Sequence, residues 1–229
     1  LGQGISNAVG MAIALKKLSK EKKLSKAPNV YVFCGDGCLM EGISQEAISL
    51  AGHLKLNNLI LIYDNNNISI DGSTDLAFSD NTNLRFKSVN WEVHSGRGHD
   101  HKNIYKLLKK AQVSKAPCLL NFKTTIGFGS PNKSAKASSH GSPLGSEEVK
   151  LTRSKLSWNE KPFQIPDKLL KIWRNSSTNN LQIYKKTKSI SHTNLSNKDI
   201  DKLFNKIEID LEDFKSDQAT RKSSEAILH

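Results

Sequence analysis

Two continuous apolar runs, Val30-Tyr31-Val32-Phe33-Cys34 and Leu59-Ile60-Leu61-Ile62-Tyr63, dominate the hydrophobic pattern of this chain. Neither alternates with polar residues, so each predicts a strand buried on both faces, as in a parallel sheet covered by helices. Residues 3–17 carry Val9, Ala12, Ile13 and Leu15 on one helical face, with Ser6 expected as the cap. Residues 43–54 predict the crossover helix between the two strands. Further along, 68–72 predict a short strand and turn, 81–89 a helix, 91–94 a strand, 104–113 an amphipathic helix and 118–124 a strand. This alternation predicts an α/β fold, a doubly wound, mostly parallel sheet with helices on both faces. Residues 16–26 are a charged connection, and 127–145 form a Gly/Ser/Pro loop whose length suggests function. Helices are expected at 146–156 and 167–173, a polar connection at 185–198, and helices again at 199–214 and 217–228. The expected organisation is one domain over 1–185, then a helical linker and the start of a second domain over 186–229. No internal repeat is present.

Both apolar strands end in oxygen donors. Gly35-Asp36-Gly37 follows the first and Asn65-Asn66-Asn67 the second, one βαβ unit apart. In an open α/β sheet, ligands collect beyond the carboxyl ends of the strands. A carboxylate and an amide oxygen at neighbouring strand ends suit a hard divalent cation that keeps some coordination for phosphate oxygens and water. Asp36, Asn66 and the backbone carbonyl near Ile68 form the candidate ligand set. Gly35 and Gly37 permit a tight turn and the close approach of a diphosphate. An ordinary βα turn would carry a Gly-Asp-Gly alone; the second strand end at this spacing is what favours the cation.

Composition narrows the classes. The net charge is +12 over 229 residues, but the lysines are scattered and no arginine cluster or aromatic-basic interleaving marks a nucleic-acid groove. A solvated basic surface is the expectation, with no nucleic acid as partner. Cys34, Cys38 and Cys118 form no C-x-x-C pair and fit a reducing, intracellular setting. No apolar stretch reaches the ~20 residues of a membrane span, and no secretory signal is visible. A cytoplasmic protein without membrane contact is expected. The chain begins at Leu1 and stops at His229 within a helix-like pattern, which predicts a piece cut at both ends. His94, His99 and His101 do not have the spacing of a helical zinc pair.

The motifs taken together resemble those of transketolases. Leu1-Gly2-Gln3-Gly4-Ile5-Ser6-Asn7-Ala8-Val9-Gly10-Met11-Ala12 is similar to that family's Gly-Pro-Leu-Gly-Gln-Gly stretch without its first two residues. Gly35-Asp36-Gly37-Cys38-Leu39-Met40-Glu41-Gly42, Ile68-Ser69-Ile70-Asp71-Gly72, Gly127-Phe128-Gly129-Ser130-Pro131-Asn132-Lys133 and Ser139-His140-Gly141-Ser142-Pro143-Leu144-Gly145 match in order. Arg153, Trp158, Phe163-Gln164-Ile165-Pro166 and Arg221-Lys222-Ser223-Ser224 continue the match, whereas 175–215 carry little signature.

The resemblance implies the thiamine diphosphate-binding fold and a transferase that moves a two-carbon ketol unit from a ketose phosphate to an aldose phosphate. It implies thiamine diphosphate and Mg²⁺, with Ca²⁺ or Mn²⁺ as substitutes, phosphorylated sugars as partners, and a homodimer whose active site is shared between subunits. By position, Asp36, Asn66 and Ile68 match the metal ligands, and Leu1, Gly37, Asn66 and His140 match cofactor-binding positions. His140 also matches a catalytic and substrate-binding histidine, and Arg221 a substrate-binding arginine. Glu41 and Glu46 match catalytic acids near the dimer axis; as residues, they are equally acids of a helix's first turn. The family's cofactor-activating glutamate comes from the next domain of the partner subunit, so these 229 residues alone are expected to be inactive. A dihydroxyacetone synthase, a deoxyxylulose phosphate synthase, and a non-catalytic subunit of a split enzyme are the alternatives.

Overall fold

Four strands, β1 (Val30–Gly35), β2 (Leu59–Asn65), β3 (Glu92–Arg97) and β4 (Cys118–Lys123), form one sheet in the order β1-β2-β4-β3 in the computed structural model. The structure describes residues 1–21 and 26–187. Every pairing is parallel, and the register sets Gly35 opposite Asp64 and Asn65 opposite Lys123. The chain divides into two units, Leu1–Asn159 and Glu160–His229; the sheet lies wholly in the first.

Strand parity separates two cores. Val32, Cys34, Leu59, Leu61, Tyr63 and Leu119 point to one face, packed with residues of α1 (Gln3–Glu21), α3 (Gly42–His53) and α4 (Thr82–Ser88). Ile60, Ile62, Cys118, Leu120 and Phe122 point to the other, where α5 (His101–Ala111) supplies Ile104, Leu107, Leu108 and Ala111. Each fully buried Leu or Ile contributes about 1.5–3 kcal/mol, so the β2–β4 centre is the firmest part of the sheet. Burial drives up the thiol pKa of Cys34 and Cys118, the latter to about 12, which makes both behave as small hydrophobes.

Helix α1 buries Ile5, Ala8, Val9 and Ala12, a one-sided stripe whose small residues let it lie close to the sheet. Helix α3 comes closer still to the turn after α4. A Cβ on Gly52 would sit 1.7 Å from the Val89 carbonyl oxygen, so only glycine fits there. The Trp91 indole N–H donates to the Ile48 carbonyl at 2.9 Å, and its ring meets Phe86 edge-on with centroids 5.0 Å apart.

The structure departs from the hydrophobic pattern in several places. Ser6 lies inside α1, where its hydroxyl donates back to the Gly2 carbonyl at 3.1 Å and caps nothing. The helix also continues to Glu21, through half of the expected connection, because its lysines are good helix formers. A five-residue helix α2 (Asp36–Met40) follows β1 directly. Residues 68–72 form no strand, only an isolated antiparallel bridge between Ile68 and Ser73. In the second unit, α7 (Asp167–Thr187) runs well past 173 and through the start of the expected polar connection. Residues 188–229, with the expected helices at 199–214 and 217–228, lie outside the described residues. Among the described residues, no helix is long and apolar enough to cross a membrane.

Candidate functional site

The register of β1 on β2 builds the site. Gly35 pairs with Asp64, so the residues that follow, Asp36 and Asn65-Asn66, emerge side by side at the carboxyl end of the sheet. Asp36 opens α2 and is only 7 % exposed. Its Oδ1 accepts from the Tyr63 hydroxyl at 2.6 Å and its Oδ2 from the Asn66 backbone N–H at 3.3 Å. Asn66 Oδ1 accepts from the Ile68 N–H at 3.0 Å, an Asx turn that aims the amide oxygen. Asn67 takes the left-handed conformation, φ 61°, and its Oδ1 accepts from Lys123 Nζ at 2.6 Å. Burial, then the bond to Asp36, pushes the Tyr63 phenol far above its ordinary range, so it is a permanent donor.

A cavity of about 350 Å³ opens beside Asp36, walled by Tyr63, Asn65, Thr74, Asn83 and Asn121 among others. Its back wall is a ladder of amides. Asn65 Nδ2 donates to Asn121 Oδ1 at 3.0 Å, Asn121 Nδ2 to Asn83 Oδ1 at 2.9 Å, and Asn83 Nδ2 to Ser95 Oγ at 3.0 Å. At the head of the ladder, Asn65 Oδ1 is buried without a partner. Among the described residues, no salt bridge reaches Asp36. A buried carboxylate met only by neutral donors, beside an orphaned amide oxygen, is costly unless a cation joins it. The donor set is all oxygen and fits a hard divalent ion.

The other expected residues divide between this strand end and elsewhere. Gly37 lies in α2, and a Cβ there would stand 3.9 Å from a methyl of Leu1, so these two cofactor candidates are neighbours beside Asp36. Glu41 occupies the N-cap position of α3 without a side-chain cap bond, and Glu46 is exposed on that helix beside a shallow concavity with Gln45, Ser49, Leu50 and His53. Glu41 thus stands at the positive end of the helix dipole, whereas Glu46 lies beyond the first turn. Arg221 lies outside the described residues.

His140 is exposed on the 127–145 loop, just after a 3-10 turn, Ala137–Ser139. The loop is cross-linked by polar bonds. Glu148, on α6 (Ser146–Lys155) and 8 % exposed, accepts from the Ser130 hydroxyl, from the Asn132 N–H at 2.8 Å and from Asn132 Nδ2 at 2.9 Å. These bonds, led by that from Ser130, hold its carboxyl down at about 2. Lys133 Nζ donates to the Leu144 carbonyl at 2.8 Å, and the Ser139 hydroxyl to the Lys133 carbonyl at 2.5 Å. Gly127, at φ 62°, leaves no room for a Cβ, which would lie 2.9 Å from Ser139 Oγ.

His99 and His94 belong to the framework of the sheet and its loops. His99 Nε2 accepts from the Thr125 N–H at 2.9 Å while its ring stacks on Phe128 at 3.9 Å. Asp100 caps α5 by accepting from Lys102 and Asn103 N–H. His94 Nε2 lies 2.7 Å from Glu92 Oε1, off the line of a hydrogen bond. Sequence reasoning passed over Tyr63, the amide ladder and Glu148. Only Tyr63 left a signal: a phenol closing a buried aliphatic strand must find a partner for its hydroxyl.

With this geometry in hand, the family follows. A family model described as transketolase, thiamine diphosphate binding domain, matches residues 1–205, and the chain belongs to that family. A transketolase of Buchnera aphidicola subsp. Schizaphis graminum is 51 % identical over 179 residues, covering 76 % of this chain and 27 % of its own length. The chain spans about a quarter of the length of such relatives. Among solved structures, the transketolase of Campylobacter jejuni superposes with a TM-score of 0.83 at 40 % identity, covering all of this chain and 37 % of its own. The Pichia stipitis transketolase in complex with sedoheptulose 7-phosphate gives a TM-score of 0.79 at 33 % identity, covering 100 % of this chain and 37 % of its own. The α/β architecture is that of the family's thiamine diphosphate-binding region.

Proposed function

We propose that the protein carrying this region is a transketolase. Its Asp36, Asn66 and the Ile68 carbonyl would hold Mg²⁺, or Ca²⁺ or Mn²⁺ in its place, against the diphosphate of thiamine diphosphate. The observation that carries the reading is the meeting of Asp36 and Asn66 at adjacent strand ends beside an orphaned amide oxygen, in a chain of the thiamine diphosphate-binding family. When bound, thiamine diphosphate supplies the carbanion-stabilising chemistry; the protein supplies position and electrostatics. Asp36 contributes the charge that balances the cation, and Asn66 a neutral oxygen held in its turn. Gly37 and Leu1 shape the surface beside the diphosphate, where the missing Cβ of Gly37 allows close approach. His140 donates to, or takes a proton from, an oxygen of the reacting sugar.

The substrates in this reading are phosphorylated sugars, a ketose donor and an aldose acceptor, as in the pentose phosphate pathway. The Pichia stipitis protein bound to sedoheptulose 7-phosphate supports that class. Arg221 would contact the sugar phosphate. Glu41 and Glu46 would face the second subunit of a homodimer, near the acid that activates the cofactor. The compartment proposed is the cytoplasm. Residues 1–185 would form the diphosphate domain and 186–229 the passage to the next.

Three acceptors test the reading in the complete native polypeptide. Two-carbon transfer to ribose 5-phosphate that requires thiamine diphosphate and a divalent ion is the expected result. Turnover of formaldehyde in preference would make it a dihydroxyacetone synthase, and condensation of pyruvate with glyceraldehyde phosphate a deoxyxylulose phosphate synthase; either overturns the assignment. Failure of chelators to affect cofactor binding would remove the metal site.

A further inference from the structure

One buried group at the strand end has no part in that reading: the hydroxyl of Tyr63. It is 4 % exposed and belongs to the helix-covered core with Leu59 and Leu61. Its ring is fixed from two directions, by packing and by the register that pairs Tyr63 with Cys34 on β1. The oxygen therefore has a defined place, 2.6 Å from Asp36 Oδ1. Thr82, the first residue of α4, stands with Tyr63 in the wall of the same cavity. The bond from Tyr63 to Asp36 joins that wall to the carboxylate.

The second hold on Asp36 is weaker. The Asn66 N–H reaches Oδ2 only at 3.3 Å, near the limit of a useful bond, whereas a hydroxyl donating to a carboxylate at 2.6 Å is short and charge-assisted. A carboxylate oxygen has lone pairs to spare after accepting one proton. Tyr63 can thus fix the rotamer of Asp36 while leaving both oxygens able to face a cation.

The geometry points to Tyr63 as the positioning residue of the cation site, holding the Asp36 carboxylate in the one orientation that meets a divalent ion. This rests on Asp36 being a cation ligand. Tyr63 does not touch the ion; it acts through Asp36, as outer-shell partners of metal ligands do.

The test is Tyr63→Phe, which removes one oxygen and keeps the ring, in the complete native polypeptide. Mn²⁺ binding with thiamine diphosphate present, read by loss of the free-ion paramagnetic resonance signal, is expected to weaken by about 10–100-fold. The half-saturating Mg²⁺ for sugar transfer rises in step, while the rate at saturating metal falls far less. Replacing Tyr63 with 4-fluorophenylalanine, which fills the space of the hydroxyl without a proton to donate, shifts Mn²⁺ affinity in the same direction by a similar factor. It keeps the test open should Tyr63→Phe fold poorly. Unchanged Mn²⁺ affinity in both variants, with Asp36→Ala abolishing it, overturns the role of Tyr63 and leaves the cation site standing. Mn²⁺ affinity that survives Asp36→Ala overturns the cation site itself.

Discussion

The strand-end cluster around Asp36 and the loop that carries His140 reach order by different means. Asp36, Tyr63 and Asn66 stand where the parallel register of two buried strands puts them, so the hydrophobic core sets their geometry. The loop over 127–145 contains almost no buried apolar side chain; Phe128 is itself exposed. Ser130, Asn132, Lys133, Ser139 and Glu148 replace the missing core with hydrogen bonds. The difference teaches that one half of the candidate site is as stable as the domain, whereas the other depends on polar groups that can be unpaired one at a time.

The sharpest way to separate the halves is a crossed pair of substitutions. His140→Ala is expected to lower kcat/KM for ketol transfer by about 10²–10⁴-fold, the usual weight of a general acid–base group, with Mn²⁺ titrations almost unmoved. Asp36→Ala should do the reverse at its first step, weakening metal-dependent binding of thiamine diphosphate at least about 100-fold, beyond what outer-shell losses cost; calorimetry with and without chelator reads it. If both variants damaged metal binding alike, the two regions would be one cooperative unit.

A smaller effect probes the loop's polar staple. The Glu148 carboxyl is held at about 2 against an ordinary 4.5. Its folded-state pKa is depressed, so its contribution to stability is complete above about 4.5 and disappears as pH falls through about 2. Glu148→Gln should therefore be less stable than the parent near neutrality, and the gap should close between pH 4.5 and 2. Denaturant midpoints of the two proteins across that window check the sign; a gap that stayed constant would mean that the charge has no part in the staple.

The smallest effect belongs to the turn beside the proposed cation site. Asn67 sits at φ 61°, and Asn67→Ala should cost about 1 kcal/mol for a left-handed residue without a local hydrogen bond. Asn67→Gly keeps the conformation accessible and removes only the bond from Lys123. Equal losses in the two variants would assign the cost to Lys123 rather than to the backbone.

The same contrast explains what could be read from the chain alone. Val30–Gly35 and Leu59–Asn65 were legible because their lack of alternation has one physical meaning, and the residues that follow them could be placed from the strands themselves. Asp36 and Asn66 came with them, and the family resemblance agrees with the match over 1–205. The loop's length was legible but not its wiring: nothing near Glu148 announces that it closes on Ser130 and Asn132, because those bonds exist only after α6 has packed. Ser6 misled for a related reason. A serine near a helix start suits a cap, but its hydroxyl bonds the carbonyl four residues back just as well.

The amide ladder has a direction. From Asn65 through Asn121 and Asn83 to Ser95, every N–H points away from Asp36, and the carbonyl end is left at Asn65, in the wall shared with that carboxylate. Aligned side-chain dipoles add as aligned peptide dipoles do. The ladder therefore offers the cavity an electron-rich end without a further formal charge. In the proposed reading, a phosphorylated ligand entering beside Asp36 would meet cation-attracting oxygen with less of the repulsion that another carboxylate would exert.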